Sequence, residues 1–354
     1  MKERVVWLDQ IRALAIVAVV FNHATEIYLG LNGGEWAGYD AASRILASVG
    51  FSFGRLGVPL FLFLTGALTL SKAVNTDEDV FRFYRHSLLP LAATVVAWNV
   101  LLTIFDQCTR GGGLALGQII RCALFLEGVP ALHAWYAPMI VGMYVFLPFV
   151  AAAVRRFSLK ALALPLSIAA IAFLVLPTLM VIDPPQKRQL TLGLDFAGGE
   201  YGVYMLVGYY LYQGNLEKRV SKPLAAVACA AAFAALAALQ MRVAAVGEGG
   251  LRYTNLGLLL CAAVLFLAFK RFDGAPRPAV RRLLTALSRL SFGVYFLHVP
   301  VQWLLRRYMP HLFQLGPAGD TLLLFSLSLV LSACVLWLAG RLKCLRRLLL
   351  NQKD

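Results

Sequence analysis

The feature that most constrains this chain is a series of apolar stretches long enough to cross a lipid bilayer. About 20 residues of α-helix span the hydrocarbon layer, and only segments that satisfy their own backbone hydrogen bonds are stable there. Ten such stretches are predicted to form helices: residues 11–30, 49–70, 87–105, 134–153, 161–181, 196–213, 223–240, 255–269, 288–305 and 320–340. The sequence therefore predicts an all-α, polytopic membrane bundle of about ten transmembrane helices, with residues 1–354 in one domain and no separate soluble domain.

The distribution of basic residues predicts the orientation of these helices. With a cytoplasmic N-terminus, which includes Lys2 and Arg4, 21 of the 33 lysines and arginines lie in cytoplasmic segments. Nine, among them Lys187 and Arg188, lie on the opposite side, and three lie within spans. Short cytoplasmic loops of membrane proteins carry such an excess, so both termini are expected in the cytoplasm. The net charge of +15 is thus explained mainly by topology and by contact with anionic membrane lipid.

Composition excludes several classes of protein. Hydrophobic residues make up 60% of the chain and charged residues 14%, whereas a soluble domain carries about 25% charged residues. Nucleic-acid binding is not expected, because the basic residues are spread over many short loops. The six cysteines show no paired spacing, so neither a disulfide framework nor a metal site is expected. Asp9, Arg12 and His23 interrupt the first apolar stretch, which favours an uncleaved span over a signal peptide.

Three connecting segments carry local signals. The second half of residues 106–133 is apolar but too short to span, which predicts an interfacial or re-entrant helix. The loop 182–195 contains DPPQKR, in which two prolines predict a turn. The stretch KRFDGAPRPAVRRL before the ninth span is basic and interrupted by prolines, and we expect a cytoplasmic loop.

Ionisable groups inside the apolar stretches are candidates for function, because charges at membrane depth are costly. Arg12 and His23 are eleven residues apart in the first span, almost three helical turns, so their side chains share one helix face about 16 Å apart. A neutral imidazole can accept a proton from a hydroxyl, which makes His23 the candidate general base. Arg12 could hold a phosphate or orient a cofactor through its planar guanidinium. The structural alternatives are a histidine that packs between helices and an interfacial arginine paired with Asp9.

Arg55, Tyr136 and His298 are further candidates for catalysis, oxyanion stabilisation or acceptor binding. Arg55 lies in SFGRLGVPLFLFLTG, among small residues that permit close helix approach. Its structural alternative is an ion pair with an acid such as Glu200. His298 is equally explained as a structural histidine near a helix end, and Tyr136, with Trp135, as an anchor at the membrane interface.

At these residues the chain resembles acyltransferase family 3, integral membrane acyltransferases that commonly O-acetylate bacterial surface glycans. The strongest similarity is LDQIRALAIVAVVFNH, in which Arg12 and His23 match the family pattern of Arg, ten residues and His. Similar stretches follow in order: GVPLFLFLTG, FRFYRHSLLPL, HAWYAPMIVGMYVFLP, YGVYMLVGYYL and SFGVYFLH. The second-span motif often ends Ser-Gly, whereas this chain has Thr65 and Gly66. The chain has no SGNH-type domain, so it is most similar to compact single-domain members such as those acting on enterobacterial common antigen.

The resemblance implies an acyl-CoA-dependent O-acyltransferase without a permanently bound cofactor or metal. Acetyl-CoA, or another acyl-CoA, would be the cosubstrate and would arrive from the cytoplasm. Its phosphates would lie near four arginines: Arg12, Arg82, Arg85 and Arg289. His23 would deprotonate the acceptor hydroxyl or carry the acyl group transiently. Arg55 or Tyr136 could stabilise the oxyanion, which is our own suggestion rather than a family assignment.

The acceptor implied by the resemblance is a hydroxyl of a cell-surface or lipid-linked glycan, near the outer face of a bacterial inner membrane. Acyl chain, acceptor identity and oligomeric state stay open. An alternative from another class is a transporter or flippase for a lipid or glycan. Gly198 and Gly199 at the start of the sixth span are the only feature that favours it, and the lack of an internal repeat is an argument against it. A non-catalytic membrane scaffold is a third alternative, but it gives no reason for Arg12 and His23 to share a helix face.

Overall fold

The computed structural model of the protein describes residues 5–31, 36, 38–111, 113–182, 198–247, 249–272, 274 and 276–352. Throughout these ranges the chain is built of helices and contains no β-strand, so the all-α prediction is confirmed. Two groups of predictions lie outside the described residues. They are the orientation signals Lys2, Arg4, Lys187 and Arg188, and the turn at DPPQKR.

Fifteen α-helices follow one another in the described parts of the chain. Their bounds are α1 Val6–Tyr28, α2 Ala41–Arg55, α3 Gly57–Thr65, α4 Asp77–Phe83, α5 Leu89–Arg110, α6 Leu116–Ala123, α7 Tyr136–Arg156, α8 Leu159–Ala170, α9 Leu176–Ile182, α10 Gly199–Gln213, α11 Lys222–Ala245, α12 Leu256–Arg271, α13 Pro278–Tyr308, α14 Gly316–Ala339 and α15 Lys343–Leu350. π-helical turns extend α3 over Gly66–Leu70, join α4 to α5 over Tyr84–Leu88 and join α8 to α9 over Ile171–Val175.

Eight helical stretches of the described chain are long and apolar enough to cross a membrane. They are Val6–Tyr28, Ala41–Thr69, Asp77–Arg110, His133–Arg156, Leu159–Met180, Lys222–Ala245, Pro278–Tyr308 and Gly316–Ala339. The predicted sixth and eighth spans correspond to α10 and α12, which have 15 and 16 residues. These two helices are about 22 and 24 Å long, less than the roughly 30 Å of a hydrocarbon core. Helices are therefore present at all ten predicted positions, and two of them are short.

Several helix ends differ from the prediction. Helix α2 begins at Ala41, before residue 49, where the second span was predicted to begin, because the Asp40 side chain accepts the Ser43 N–H at 2.8 Å and caps the helix. Hydrogen bonding from Ser43 holds the pKa of the Asp40 carboxyl below its ordinary value. Helix α13 begins at Pro278, so part of the predicted proline-interrupted loop is helical, since proline is tolerated in the first helical turn. Helix α6, eight residues long, confirms a short helix within 106–133.

The described chain divides into two compact units, and the prediction of a single domain stays a prediction. The first unit comprises Met1–Lys72, Ala153–Ser288 and Phe313–Phe325. In it α1 packs against α2, α3 and α12, and α3 packs against α10. Phe63, Tyr204 and Phe266, from three different helices, are completely buried at its centre, and the Trp7 ring of α1 meets Phe266 edge to face at 5.2 Å.

A buried ion pair joins the 3₁₀ turn Leu216–Arg219, which follows α10, to α12 in this first unit. Lys270 Nζ lies 3.0 Å from a Glu217 carboxylate oxygen, and both side chains are largely buried. The same ammonium donates to the backbone oxygens of Leu211 and Tyr212, at 3.1 and 2.7 Å. These carbonyls belong to the last turn of α10, where a cation satisfies acceptors that have no partner within the helix.

The second unit comprises Ala73–Ala152, Arg289–Leu312 and Ser326–Asp354. In this unit Trp98 of α5 makes two contacts with other helices. Its ring stacks on that of Phe296 at 5.2 Å, and its Nε1 donates to the backbone oxygen of Leu349 at 3.0 Å. Asn99, the next residue, donates to the backbone oxygen of Cys122 at 3.1 Å. These bonds attach α15 and α6 to α5. Helix α15 was not expected from the sequence.

Candidate active site

The predicted base His23 lies next to a carboxylate that the sequence analysis did not single out. His23 Nδ1 is 2.8 Å from Glu26 Oε2, one turn further along α1. Because a carboxylate only accepts hydrogen bonds, Nδ1 is the donor in this contact, and in the neutral form of the imidazole the lone pair lies on Nε2. This arrangement fixes the tautomer and orientation of the ring in the way a general base requires.

Glu26 is the centre of the polar cluster in the first unit. Its Oε1 accepts from Asn22 Nδ2 at 2.8 Å and from Arg55 Nη2 at 3.3 Å, while its Oε2 binds His23. Asn22 is 4% exposed. Two oxygens thus accept from three side chains, and the Arg55 guanidinium compensates the charge of the carboxylate. The cluster places a histidine, an acid and an arginine within direct contact.

Close packing of α2 on α1 brings Arg55 to Glu26. A methyl group added at Gly54 would lie 2.5 Å from Asn22 Cβ, and one at Gly57 would lie 2.7 Å from the backbone oxygen of Ala15. Only glycine fits at these two positions, as is common where membrane helices approach closely. The expectation that small residues around Arg55 permit close approach is therefore confirmed.

From the sequence we expected that Arg55 could pair with an acid and gave Glu200 as the example, and this example was wrong. The acid that pairs with Arg55 is Glu26, not Glu200. On its other side the guanidinium carbon lies 5.5 Å from the centre of the Tyr253 ring, within the range of a cation–π contact. Arg55 is therefore held between a carboxylate and an aromatic ring, with about a quarter of its side chain exposed.

Arg12 has its own set of contacts in the first unit. Its Nη1 lies 3.6 Å from Asp9 Oδ1 and donates to Ser288 Oγ at 3.3 Å. Ser288 in turn donates to the same Asp9 oxygen at 2.7 Å. The predicted pairing with Asp9 is confirmed, and Ser288 is a partner that the sequence analysis missed. A guanidinium carries five N–H donors in one plane, and 29% of the Arg12 side chain is exposed.

The continuous helix α1 carries both halves of the predicted pair. Arg12 and His23 lie within Val6–Tyr28, whose described residues contain no break. Eleven residues of regular helix put the two side chains about 20° apart around the axis and about 16 Å apart along it. The prediction of a shared face is therefore confirmed.

Tyr136 and His298 lie in the second unit. His298 is completely buried in α13, and its Nδ1 donates to the backbone oxygen of Val294 at 2.9 Å. The His133 ring lies 5.3 Å from that of His298, and its Nε2 donates to the backbone oxygen of Phe296 at 3.2 Å. Tyr136 is 9% exposed, so it packs inside this unit. Of the two residues that the sequence suggested as anchors at the membrane interface, only Trp135 is exposed.

The Tyr295 ring joins Tyr136 to the histidines of this cluster. Its ring centre is 5.8 Å from that of Tyr136, and its hydroxyl donates to the backbone oxygen of His133. Both histidines thus donate one ring N–H to a backbone carbonyl, and both lie in a buried cluster of aromatic rings.

The three remaining arginines of the predicted cofactor site also lie in the second unit. Arg82 pairs with Asp79 at 3.1 Å in the capped first turns of α4. Arg85 follows in the π-helical turn, and its side chain is exposed. Arg289 is exposed on α13, and its backbone oxygen accepts from Gln352 Nε2 at 2.6 Å.

Together, the helices and the site define a class of protein. The chain is an all-α, multi-pass integral membrane protein with ionisable side chains inside its apolar helices. Comparison with protein families then gives a specific result: the profile of acyltransferase family 3, described as an acyltransferase domain, matches residues 5–341. The chain belongs to acyltransferase family 3, and it is a membrane acyltransferase. No curated protein and no solved structure matches it.

Proposed function

We propose that the protein moves an acetyl or other acyl group from cytoplasmic acyl-CoA to a hydroxyl of a cell-surface or lipid-linked glycan, across a bacterial inner membrane. The observation that carries this proposal is the contact of Glu26 with both His23 and Arg55 on the α1 face that also holds Arg12. Family membership supplies acyl transfer as the reaction class. The oriented base supports an oxygen nucleophile, because hydroxyl groups need deprotonation at neutral pH.

In the proposed reaction His23 Nε2 takes the proton of the acceptor hydroxyl. The oxygen attacks the carbonyl carbon of the thioester, a C–O bond forms, and the carbonyl oxygen becomes an oxyanion. When the C–S bond breaks, the CoA thiolate leaves and takes the proton from Nε2. Glu26 stabilises the imidazolium that exists between the two proton transfers, because its carboxylate lies 2.8 Å from Nδ1.

A second route through the same residues forms an acyl-histidine. Here Nε2 attacks the carbonyl carbon of the thioester, the C–S bond breaks, and CoA leaves as the thiolate. The acceptor oxygen then attacks the acyl-imidazole, the C–N bond breaks, and the released Nε2 takes the hydroxyl proton and passes it through solvent to the thiolate. Both routes develop negative charge on the carbonyl oxygen. Arg55 is the donor in the first unit that we assign to this oxyanion, because its guanidinium contacts the same carboxylate that binds His23. Tyr136 and His298 are further candidates for contact with the acceptor or the oxyanion.

The acyl-CoA is proposed to enter from the cytoplasmic side with its phosphates bound by arginines. Arg12 is suited to this task because Asp9 and Ser288 orient its planar guanidinium, which can bind a phosphate through two N–H groups and is 29% exposed. Arg82, Arg85 and Arg289 are proposed to contribute charge, and Arg85 and Arg289 are exposed. The distance of about 16 Å between Arg12 and His23 is comparable to the length of a pantetheine arm.

The test is acetyl-CoA turnover by the purified protein in detergent, for wild type and for His23→Ala. Released CoA should be measured by chromatography, because Cys108, Cys334 and Cys344 are exposed and would react with a thiol reagent. We expect saturable turnover in the wild type and its loss in the variant, with acetyl-CoA binding retained. Turnover that persists in a folded His23→Ala protein would remove the assigned role of His23. A folded wild type that neither binds nor consumes acyl-CoA would refute acyl-CoA as the donor, and transport of a lipid or glycan would then be tested directly.

A further inference from the structure

A groove with a volume of about 680 Å³ opens on the first unit between α1, α11, α12 and the first turns of α13. Its wall on α1 is formed by Gln10, Ala13, Leu14 and Val17, which follow the spacing of one helix face. Apart from Gln10 and a cysteine, the lining residues are alanines, leucines, phenylalanines and a valine. The volume lies within the roughly 300–1,000 Å³ of sites that bind small molecules.

The groove is separate from the candidate active site in the same unit. Around the axis of α1, the residues that line the groove are centred about 150° from Arg12, His23 and Glu26. An acyl group that reacts at His23 therefore does not lie in this groove.

The end of the groove near the start of α13 is strongly basic. Segments 216–224 and 270–282 contain eight lysines and arginines but only two acids. Of these acids, Glu217 is already paired with Lys270, and Asp273 lies outside the described residues. The positive-inside distribution assigns these segments to the cytoplasm.

Two exposed cations stand directly at this end. Lys222 precedes the lining residue Ala226 by one turn of α11, and Arg281 precedes the lining residue Leu284 by one turn of α13, so each shares a helix face with the groove. Neither side chain has an ion pair or hydrogen bond with another described residue. Basic side chains at the cytoplasmic mouth of a cleft between membrane helices are typical of binding sites for anionic lipid headgroups.

We propose that this groove binds one anionic diacyl phospholipid of the cytoplasmic leaflet. The phosphate lies between Lys222 and Arg281, and an acyl chain runs along α1 from Gln10 to Val17, over about 10 Å of depth. A soluble phosphate would meet the same charges but would leave the apolar wall uncovered. The lipid therefore acts as a structural ligand that joins α1, α11, α12 and α13.

The test is native mass spectrometry of the purified protein, titrated with phosphatidylglycerol or phosphatidylcholine of identical acyl chains. We expect one saturable phosphatidylglycerol per chain and clearly weaker binding of phosphatidylcholine. The double variant Lys222→Gln/Arg281→Gln should weaken phosphatidylglycerol binding about 25-fold, at about fivefold for each charge removed. Arg242→Gln, at the other end of α11, removes one charge and should leave the affinity unchanged.

A second pair of variants tests the apolar wall. Ala226→Trp fills the groove, whereas Ala231→Trp places the same ring about 140° away on α11; both alanines are exposed, so neither change disturbs the core. Only Ala226→Trp should abolish lipid binding. Equal binding of the two lipids, or equal effects of the two tryptophans, would overturn the proposal. Displacement of the lipid by soluble glycerol phosphate at a similar concentration would overturn it as well, because it would show an anion site that needs no acyl chain.

Discussion

Replacement of Glu26 by glutamine is the most informative perturbation of the candidate site, because it removes one charge and keeps the shape of the side chain. Glu26 lies 2.8 Å from His23 Nδ1, which places the two centres of charge about 4 Å apart when the imidazole is protonated. Two unit charges at that distance attract by about 4 kcal/mol at an effective dielectric constant of 20. Because 34% of the Glu26 side chain is exposed, screening reduces this to about 2 kcal/mol. A loss of about 2 kcal/mol in the transition state lowers kcat about 30-fold.

The assay is the chromatographic measurement of CoA released from acetyl-CoA, over a range of substrate concentrations. Glu26→Gln should lower kcat and leave KM within about twofold, since the carboxylate acts on the imidazole and has no role in phosphate binding. Glu127→Gln is the matched control. Glu127 pairs with Arg121 at 2.8 Å and is 37% exposed, so the control removes a similarly exposed and similarly paired carboxylate outside the site.

One result would refute this reasoning. If Glu26→Gln keeps kcat within about threefold of wild type while His23→Ala abolishes turnover, the carboxylate has no part in stabilising the imidazolium. His23 would then act without Glu26, and the contact between them would be structural. An equal loss in Glu127→Gln would instead attribute the effect to general destabilisation.

Three further predictions concern the same unit. Arg12→Lys should raise KM for acetyl-CoA about tenfold, because a lysine cannot reproduce the planar fork; an unchanged KM in steady-state kinetics would contradict phosphate binding there. Arg55→Lys should lower kcat about 100-fold with little change in KM, as expected on loss of an oxyanion donor, and wild-type kcat would exclude that role. Arg242→Lys is the control for both variants. Gly57→Ala should destabilise the protein by about 1–3 kcal/mol, because the added methyl group would lie 2.7 Å from the backbone oxygen of Ala15. Gly142→Ala is its control: the added methyl group has no atom within 4 Å, so this change should be neutral or stabilising. Thermal unfolding in detergent measures both, and equal melting temperatures would refute the close-packing argument.

The local part of the candidate site was predictable from the sequence, and one part of it was overlooked. The shared face of Arg12 and His23 follows from helical periodicity alone. Glu26 was within reach of the same argument, because it lies three residues after His23 and therefore on the same face. Searching that face for a carboxylate, in addition to the basic groups, would have found it.

The contacts that complete the site are between residues far apart in the chain. Arg55 is 29 residues from Glu26, and Ser288 is 279 residues from Asp9. Periodicity gives no information on which helix packs against which, so only the packing of α2 on α1 shows that Arg55 pairs with Glu26 and not with the expected Glu200. The glycines that permit this packing were visible in the sequence, but the helix that they meet was not.

The sequence by itself determined the elements and their membrane character. Apolar stretches of about 20 residues have no stable alternative to helix in a bilayer, so the positions of ten helices followed directly from composition. Tertiary structure decided where those helices end, as with the early start of α2 and α13 and the short α10 and α12. It also decided which polar groups meet, because a buried charge selects its partner through packing between distant segments, and no local pattern records that choice.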